Sequence, residues 1–376
     1  MGELQGSAAL ALAVACLPLL VWRFSFFRRL GDHSRVNVLS SNVVPLGPLQ
    51  SGVPGSDSGK LMAMEIDRVV IAEAADRLAP YVRRTPVLEV AAPDFGVRGR
   101  LLFKMEMLQR SGTFKVRGAF NLVLEHLEGD RAAEPLVAAS GGNFAFALGY
   151  AASALGAHAH LFVPSTSPAA KVENVRSTGA EITIIQGFYA DALEASRAYV
   201  AENGGRLAHA YDQVPVVVGA GTCGLEIDEQ ILDVDTVLVP VGGGGLIAGI
   251  AFALQDDAAV VGVETEKTPT LYEARRRGGP VDVEVGGVAV SSLGSKRLGD
   301  IAWEASQRWI DDALLVTDDA VVEAQRTIWS KARIMVEPGG AVGVAALISG
   351  AYRPRDDEVV VVVLSGANLD PVSIFN

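Results

Sequence analysis

The chain has 376 residues and a mass of 39.4 kDa, enough for two or three domains of about 100 to 200 residues with a sizeable buried interior. Apolar residues make up 49% and charged residues 20%, so burial can offset the entropy of ordering, and intrinsic disorder of the body is excluded. Lys and Arg number 32 against 44 Asp and Glu, a net charge of −12 with no basic stripe to override it, which excludes nucleic acid and, for the body, anionic membrane as partners.

Two cysteines without a C-x-x-C pair or a Cys/His cluster exclude a disulfide framework and a zinc site, and make a reducing, cytoplasmic compartment the expectation. Residues 8–22 are apolar apart from Pro18 and are followed by Arg23, Arg28 and Arg29. That run is shorter than the roughly 20 residues a spanning helix needs, and its charge follows the apolar run where a signal peptide would place it before. Residues 36–60 are rich in Ser, Gly, Pro and Asn without periodicity and read as a flexible connector. Residues 1–63 are therefore expected to be a disordered extension, an upstream-start artefact with Met62 or Met64 as the natural beginning, or a membrane tether.

Periodicity begins near Met64, where Val70, Ile71, Ala74, Ala75 and Leu78 recur at helical spacing with Glu73, Asp76 and Arg77 on other faces. Beyond it, strands are expected at 101–103, 136–139, 160–163, 182–185, 237–240, 260–263 and 359–364. Helices are expected at 144–155, 190–203, 246–254 and 318–332. Unbroken apolar runs such as VVVVVL suit strands buried on both faces of a parallel sheet, so the class is α/β. In such folds ligands bind beyond the carboxyl ends of the strands, and the loops there carry the chemistry-bearing residues.

Glycine is abundant, 40 residues in all where about 7% is usual, and it is clustered. After VLVP come Gly242, Gly243, Gly244 and Gly245, then a helix from Leu246. Converging backbone N–H groups and a helix N-terminus make this loop an anion and phosphate cradle. Gly243, Gly245 and Ala248 also satisfy G-x-G-x-x-A, with Glu264 about 20 residues on, so the loop by itself is equally readable as an NAD-type dinucleotide site. Three further motifs lie at expected strand ends. KMEMLQRSGTFKVRGAFN holds Phe114 and Lys115 where a helix opens, ASGGNFAFALGYAA holds Ser140, Gly141 and Asn143 in a glycine turn, and LSGANLD holds Ser365 directly after a strand.

These four motifs, in this order, resemble the fold type II pyridoxal-phosphate enzymes, and within them the threonine/serine dehydratase and serine racemase group, over about residues 64–376. The resemblance implies two open, twisted, mostly parallel sheets flanked by helices, as in the β subunit of tryptophan synthase. It also implies a large cofactor domain from residues 64–135 and 207–376, and a smaller substrate-closing domain from 136–206. Lys115 matches the lysine that holds pyridoxal 5'-phosphate covalently, a task for an amine that can shed its proton. Phe114 would pack on the ring, Gly242 to Gly245 would bind its phosphate, Asn143 its hydroxyl and Ser365 its pyridine nitrogen. Ser140, Gly141 and Asn143 would receive the carboxylate of an amino acid substrate. The implied reaction is loss of water and ammonia from L-threonine or L-serine; β-replacement is the alternative within the fold, and a homodimer is the implied assembly.

Three departures from the pattern matter. Gly141 and Phe144 stand where the group has Ser and His, and since that Ser is the proton carrier of the racemases, elimination without racemisation is expected. Relatives that bind a divalent cation use two acids six residues apart, but here Glu264 is followed by Thr270, a poor cation pair. The chain stops soon after Ser365, so the C-terminal regulatory domain of some biosynthetic dehydratases is not expected. His158 and His160 read as strand-end histidines, and Cys223 as a small packed residue.

Overall fold

The computed structural model describes residues 66–374. The expected extension over residues 1–63, with its apolar run and candidate start sites, lies outside the described residues. Among the described residues no helix is long and apolar enough to cross a membrane.

In chain order the body runs α1 (Arg68–Leu78), β1 (Val87–Val90), β2 (Arg100–Lys104), α2 (Lys115–Glu128), β3 (Leu136–Ala139), α3 (Asn143–Leu155), β4 (Ala159–Pro164), α4 (Ala169–Arg176), β5 (Glu181–Ile185), α5 (Tyr189–Asn203) and β6 (Arg206–Leu207). It continues through α6 (Val214–Gln230), β7 (Thr236–Pro240), α7 (Gly245–Leu254), β8 (Ala259–Thr265), α8 (Thr270–Arg277), α9 (Val290–Leu293), α10 (Asp300–Ser306), β9 (Asp312–Val316), α11 (Asp318–Ala332), α12 (Pro338–Ser349) and β10 (Val359–Val363). Local rules set several ends: Asp67 accepts a hydrogen bond from Val70 N at the start of α1, and Thr317 accepts one from Ala320 N at the start of α11.

Two sheets result. The larger has the order β1-β2-β10-β7-β8-β9, parallel except for the antiparallel edge strand β1. The smaller has the order β5-β4-β3-β6 and is parallel throughout. This is the expected α/β architecture of two mostly parallel sheets flanked by helices. Strand β10, a run of five valines, is buried along its whole length because it lies between β2 and β7, with Val362 opposite Phe103 and Leu238, and helices cover both faces.

Every expected strand is present, each shifted by at most two residues at an end, but β1, β6 and β9 add three that the apolar runs did not mark. Two buried helices, α6 and α12, were also unmarked. Helix α6 (VPVVVGAGTCGLEIDEQ) is buried nearly all round and so has no amphipathic period to read. Its glycines admit backbones on two sides: a Cβ on Gly219 would come within 2.6 Å of Arg117 O, and one on Gly221 within 2.9 Å of Gly249 O. The core therefore wraps α6, which packs against α7 and α2 and supports the first turn of α2, where Lys115 stands.

Candidate active site

Strand ends and helix starts converge as parallel α/β topology dictates. Lys115 is the first residue of α2, Asn143 the first of α3 and Gly245 the first of α7, while Ser365 follows β10 by two residues. Residues 112–114 are zippered to 365–367: Phe114 N donates to Ser365 O (3.1 Å), Thr113 Oγ1 to the same carbonyl (3.2 Å), and Ala367 N to Gly112 O (2.9 Å). Phe114, Lys115 and Ser365 are thus one local unit, with the Phe114 ring centre 4.9 Å from the Lys115 amine.

The Lys115 amine donates to Ala210 O at 2.8 Å. The next residue, Tyr211, lies on the glycine loop: a Cβ on Gly243 would sit 2.3 Å from its ring, and one on Gly245 2.8 Å from its carbonyl. Gly242 and Gly244 have φ of +58° and +92°, which glycine adopts without strain. The amine and the glycine turn are therefore joined through consecutive residues of one loop. Burial lowers the Lys115 amine to about 8, against the opposing charge of Glu337, so a useful fraction is neutral near physiological pH.

Arg117, two residues on, fixes the segment. It is fully buried and donates to both oxygens of Glu106 (2.8 and 2.7 Å) and both of Glu226 (2.8 and 2.9 Å). Lys104 Nζ completes the set with a 2.5 Å contact to Glu226. Burial alone would raise Glu106, but the charge and hydrogen bonds of Arg117, aided by Lys104 and Thr85, hold its carboxyl below the ordinary range.

Glu337, which the motifs did not single out, is the main addition. It is 2% exposed, accepts from Asn143 Nδ2 at 2.6 Å and lies 3.7 Å from Lys171 Nζ. Its Oε2 and the Ser111 hydroxyl are buried without a hydrogen-bond partner, polar atoms that suit a further polar group in this space. Burial raises the Glu337 carboxyl above its ordinary value, with Lys171 and Asn143 opposing. A buried acid one residue before a helix-opening Pro-Gly carries no distinctive spacing, so only the fold brings it to Asn143.

In the loop between β3 and α3, Gly142 N donates to Ser140 Oγ (3.4 Å) and the first turn of α3 carries no acidic residue. At Gly141 the side-chain volume is filled from another segment. The missing side chain does not leave the wall without a hydroxyl, because Ser167 Oγ stands 1.7 Å from where a Cβ on Gly141 would be. Phe144 is buried in the core.

Glu264, weighed above as a cation or dinucleotide residue, caps a helix in this structure. Its carboxyl accepts from Leu271 N (3.0 Å), Tyr272 N (2.9 Å) and Thr270 Oγ1 (2.9 Å), capping α8, and burial raises it to about 7. Among the described residues no group of three or more His, Cys, Asp or Glu side chains is placed to hold a metal ion. His158 is exposed, while His160 is buried against Phe162 and Tyr199 and contacts Thr183. Cys223 is fully buried, and burial pushes its thiol up.

The glycine turn, the buried amine and the buried polar atoms without hydrogen bonds fit a phosphorylated aldehyde cofactor. Comparison with known proteins agrees. The family model for pyridoxal-phosphate dependent enzymes matches residues 78–366. Serine racemase of Arabidopsis thaliana is 34% identical over 82% of this chain and 95% of its own. L-threonine ammonia-lyase of Thermotoga maritima is 33% identical over 80% of this chain and 75% of its own. The structure of maize serine racemase superposes with a TM-score of 0.77 at 31% identity, covering 82% of this chain and 96% of that one.

Proposed function

The chain belongs to the pyridoxal-phosphate-dependent enzymes, and we propose that within that family it is an ammonia-lyase converting L-threonine or L-serine to 2-oxobutanoate or pyruvate and ammonia. The observation that carries this reading is the Lys115 amine on Ala210 O with the adjoining Tyr211 against Gly243. That arrangement gives one bound molecule both a nucleophilic amine and a phosphate cradle. Kinship with both a threonine ammonia-lyase and serine racemases supports a small hydroxy amino acid as substrate.

Pyridoxal phosphate, when bound, supplies an electron sink for charge developing at the α-carbon of the substrate. Lys115 would hold it covalently, the N–H groups of residues 242–245 would hold its phosphate, and Asn143 would meet its hydroxyl. Ser365 would offer a neutral hydroxyl to the ring nitrogen, which would keep the sink weak and favour prompt loss of a β-substituent. The substrate carboxylate would rest on Ser140, Gly141 and Asn143 at the start of α3. The Lys115 amine would take the α-proton of the substrate as general base, the β-hydroxyl would leave with one proton as water, and the resulting enamine would take up water to give the 2-oxo acid and ammonia. Residues 136–206 would act as a smaller domain closing over the substrate, and a cytoplasmic homodimer is part of the same proposal.

The test is a panel of hydroxy amino acids assayed for ammonia release and for D-serine. The purified protein should be yellow and should gain mass at Lys115 on borohydride treatment. It should deaminate threonine or serine and lose that activity in Lys115→Ala. D-serine formation from L-serine at a rate matching deamination would instead make it a racemase.

A further inference from the structure

Gly141 and Ser167 are complementary in shape. A Cβ on Gly141 would lie 1.7 Å from Ser167 Oγ and 2.6 Å from Ser167 Cβ, far inside any real contact, so the Ser167 side chain occupies the volume a residue-141 side chain would need. Ser167 comes from a different segment, the loop between β4 and α4, where its N–H donates to Pro164 O (3.0 Å). Four residues on, Lys171 anchors the start of α4 by donating to Ser291 O (2.8 Å) beside Glu337. The loop is thus pinned on both sides with its hydroxyl against the turn at residues 140–142.

We propose that Ser167 is a substrate-binding residue whose hydroxyl donates to the substrate carboxylate, taking the place of the side chain that Gly141 lacks. The assignment rests on the lyase reading above, which puts the carboxylate on this wall. Donation suits the surroundings, because the first turn of α3 holds no acid to compete for the proton and its leading N–H groups already favour an anion. A hydroxyl carries protons in catalysis when a base adjoins it. Among the described residues none is hydrogen-bonded to Ser167 Oγ, whose residue forms its hydrogen bond through the backbone. Ser167 therefore holds and orients the substrate rather than reprotonating its α-carbon, and the expected lack of racemisation rests on the missing base instead of a missing hydroxyl.

The experiment moves the hydroxyl between the two positions in the cofactor-loaded protein. Ser167→Ala should weaken binding of malonate, a carboxylate that is not turned over, about ten-fold by titration calorimetry. The same variant should raise KM for the amino acid about as much, with kcat within two-fold. The double variant Gly141→Ser, Ser167→Gly returns a hydroxyl to the same space from the other loop and should restore malonate affinity to within about two-fold. Unchanged malonate affinity and KM in Ser167→Ala, or a double variant as weak as Ser167→Ala, overturns the assignment. Should the wild-type protein deaminate no hydroxy amino acid while malonate affinity still follows the hydroxyl, the lyase reading fails and the assignment of Ser167 stands.

Discussion

Asn143 donates a 2.6 Å hydrogen bond from its amide to Oε1 of Glu337. This contact ties the first residue of α3, which follows β3 of the four-stranded sheet, to the residue just before α12, which packs on the six-stranded sheet. Asn143 is held in turn by Asn368, whose Nδ2 donates to its Oδ1 at 3.0 Å. Asn368 also donates to Ser111 O (2.9 Å), four residues before Lys115, so the amide network runs from Glu337 to the segment that leads into the lysine.

Glu337 also bears on the charge state of Lys115. Burial lowers the amine to about 8 and the carboxylate opposes that shift by stabilising the ammonium form. Glu337→Gln removes the opposing charge, so the pKa should fall further. Neutral amine is the reactive form, so the rate at which cofactor-free protein takes up pyridoxal phosphate should rise through a midpoint near 8 in the wild type and at more acid pH in the variant. Visible absorbance after mixing reads both curves. A midpoint that stays put or moves to higher pH contradicts the coupling.

The glycine turn predicts where side chains are forbidden. A Cβ at Gly243 would strike the Tyr211 ring at 2.3 Å, and at Gly244 it would meet Ala302 Cβ at 2.4 Å on a backbone with φ of +92°. Gly243→Ala should push Tyr211 off the turn and weaken cofactor binding at least ten-fold while the protein still unfolds cooperatively. Gly244→Ala adds backbone strain of about 1 to 3 kcal/mol and should lower stability as well. Equilibrium titration with pyridoxal phosphate and denaturant unfolding separate the two effects.

Much of this arrangement was readable from residue order alone, because an apolar run followed by a polar glycine turn marks a buried parallel strand and its carboxyl-end loop. That rule marked the loops, and the resemblance of the four motifs they hold to pyridoxal-phosphate enzymes is what singled out Lys115, Asn143, residues 242–245 and Ser365. It failed where the signal is three-dimensional. Helix α6 has no polar face to set a period, since its glycines press against α2 and α7 on opposite sides. Glu337 and Ser167 belong to the site only because α12 and the β4–α4 loop are folded onto residues 140–143. The reading of Glu264 as a cation ligand rested on its place in the strand after the glycine turn, and its hydrogen bonds to the N–H groups of Leu271 and Tyr272 are invisible at that level.

Arg117 tests how firmly Lys115 is seated. Its guanidinium joins Glu106 and Glu226 with every contact at 2.9 Å or less, and removing one partner of a buried pair costs about 3 to 5 kcal/mol. Arg117→Met should lower the unfolding free energy by that order in urea titration at neutral pH. Since Glu106 titrates below its ordinary value, the stability it contributes is present above the unfolded-state pKa and is lost as pH falls through the folded one. Wild type should therefore lose more stability than Arg117→Met on moving from pH 7 to below pH 4. Parallel losses in the two proteins would place the network's energy elsewhere.

Thr270 occupies the place of a second acid, with its Oγ1 2.9 Å from Glu264 Oε1 and also bonded to the Gly242 carbonyl. Thr270→Asp would put two carboxyls together in a buried site where Glu264 is already raised to about 7 by burial. Like charges so close cannot both ionise, so the variant should unfold at lower temperature than wild type, with a deficit that grows from pH 6 to pH 8 as the shared proton is withdrawn. A hard divalent cation would relieve the repulsion through oxygen ligands. Millimolar manganese or magnesium should accordingly raise the melting temperature of Thr270→Asp and leave the wild type unmoved, because in the wild type the single carboxyl is already held by the N–H groups of Leu271 and Tyr272 and has no second acid beside it. A wild-type protein stabilised by the same cations would show that Glu264 binds metal despite its capping role, and a variant indifferent to both pH and cation would show that the Glu264 carboxyl is not confined as its hydrogen bonds imply.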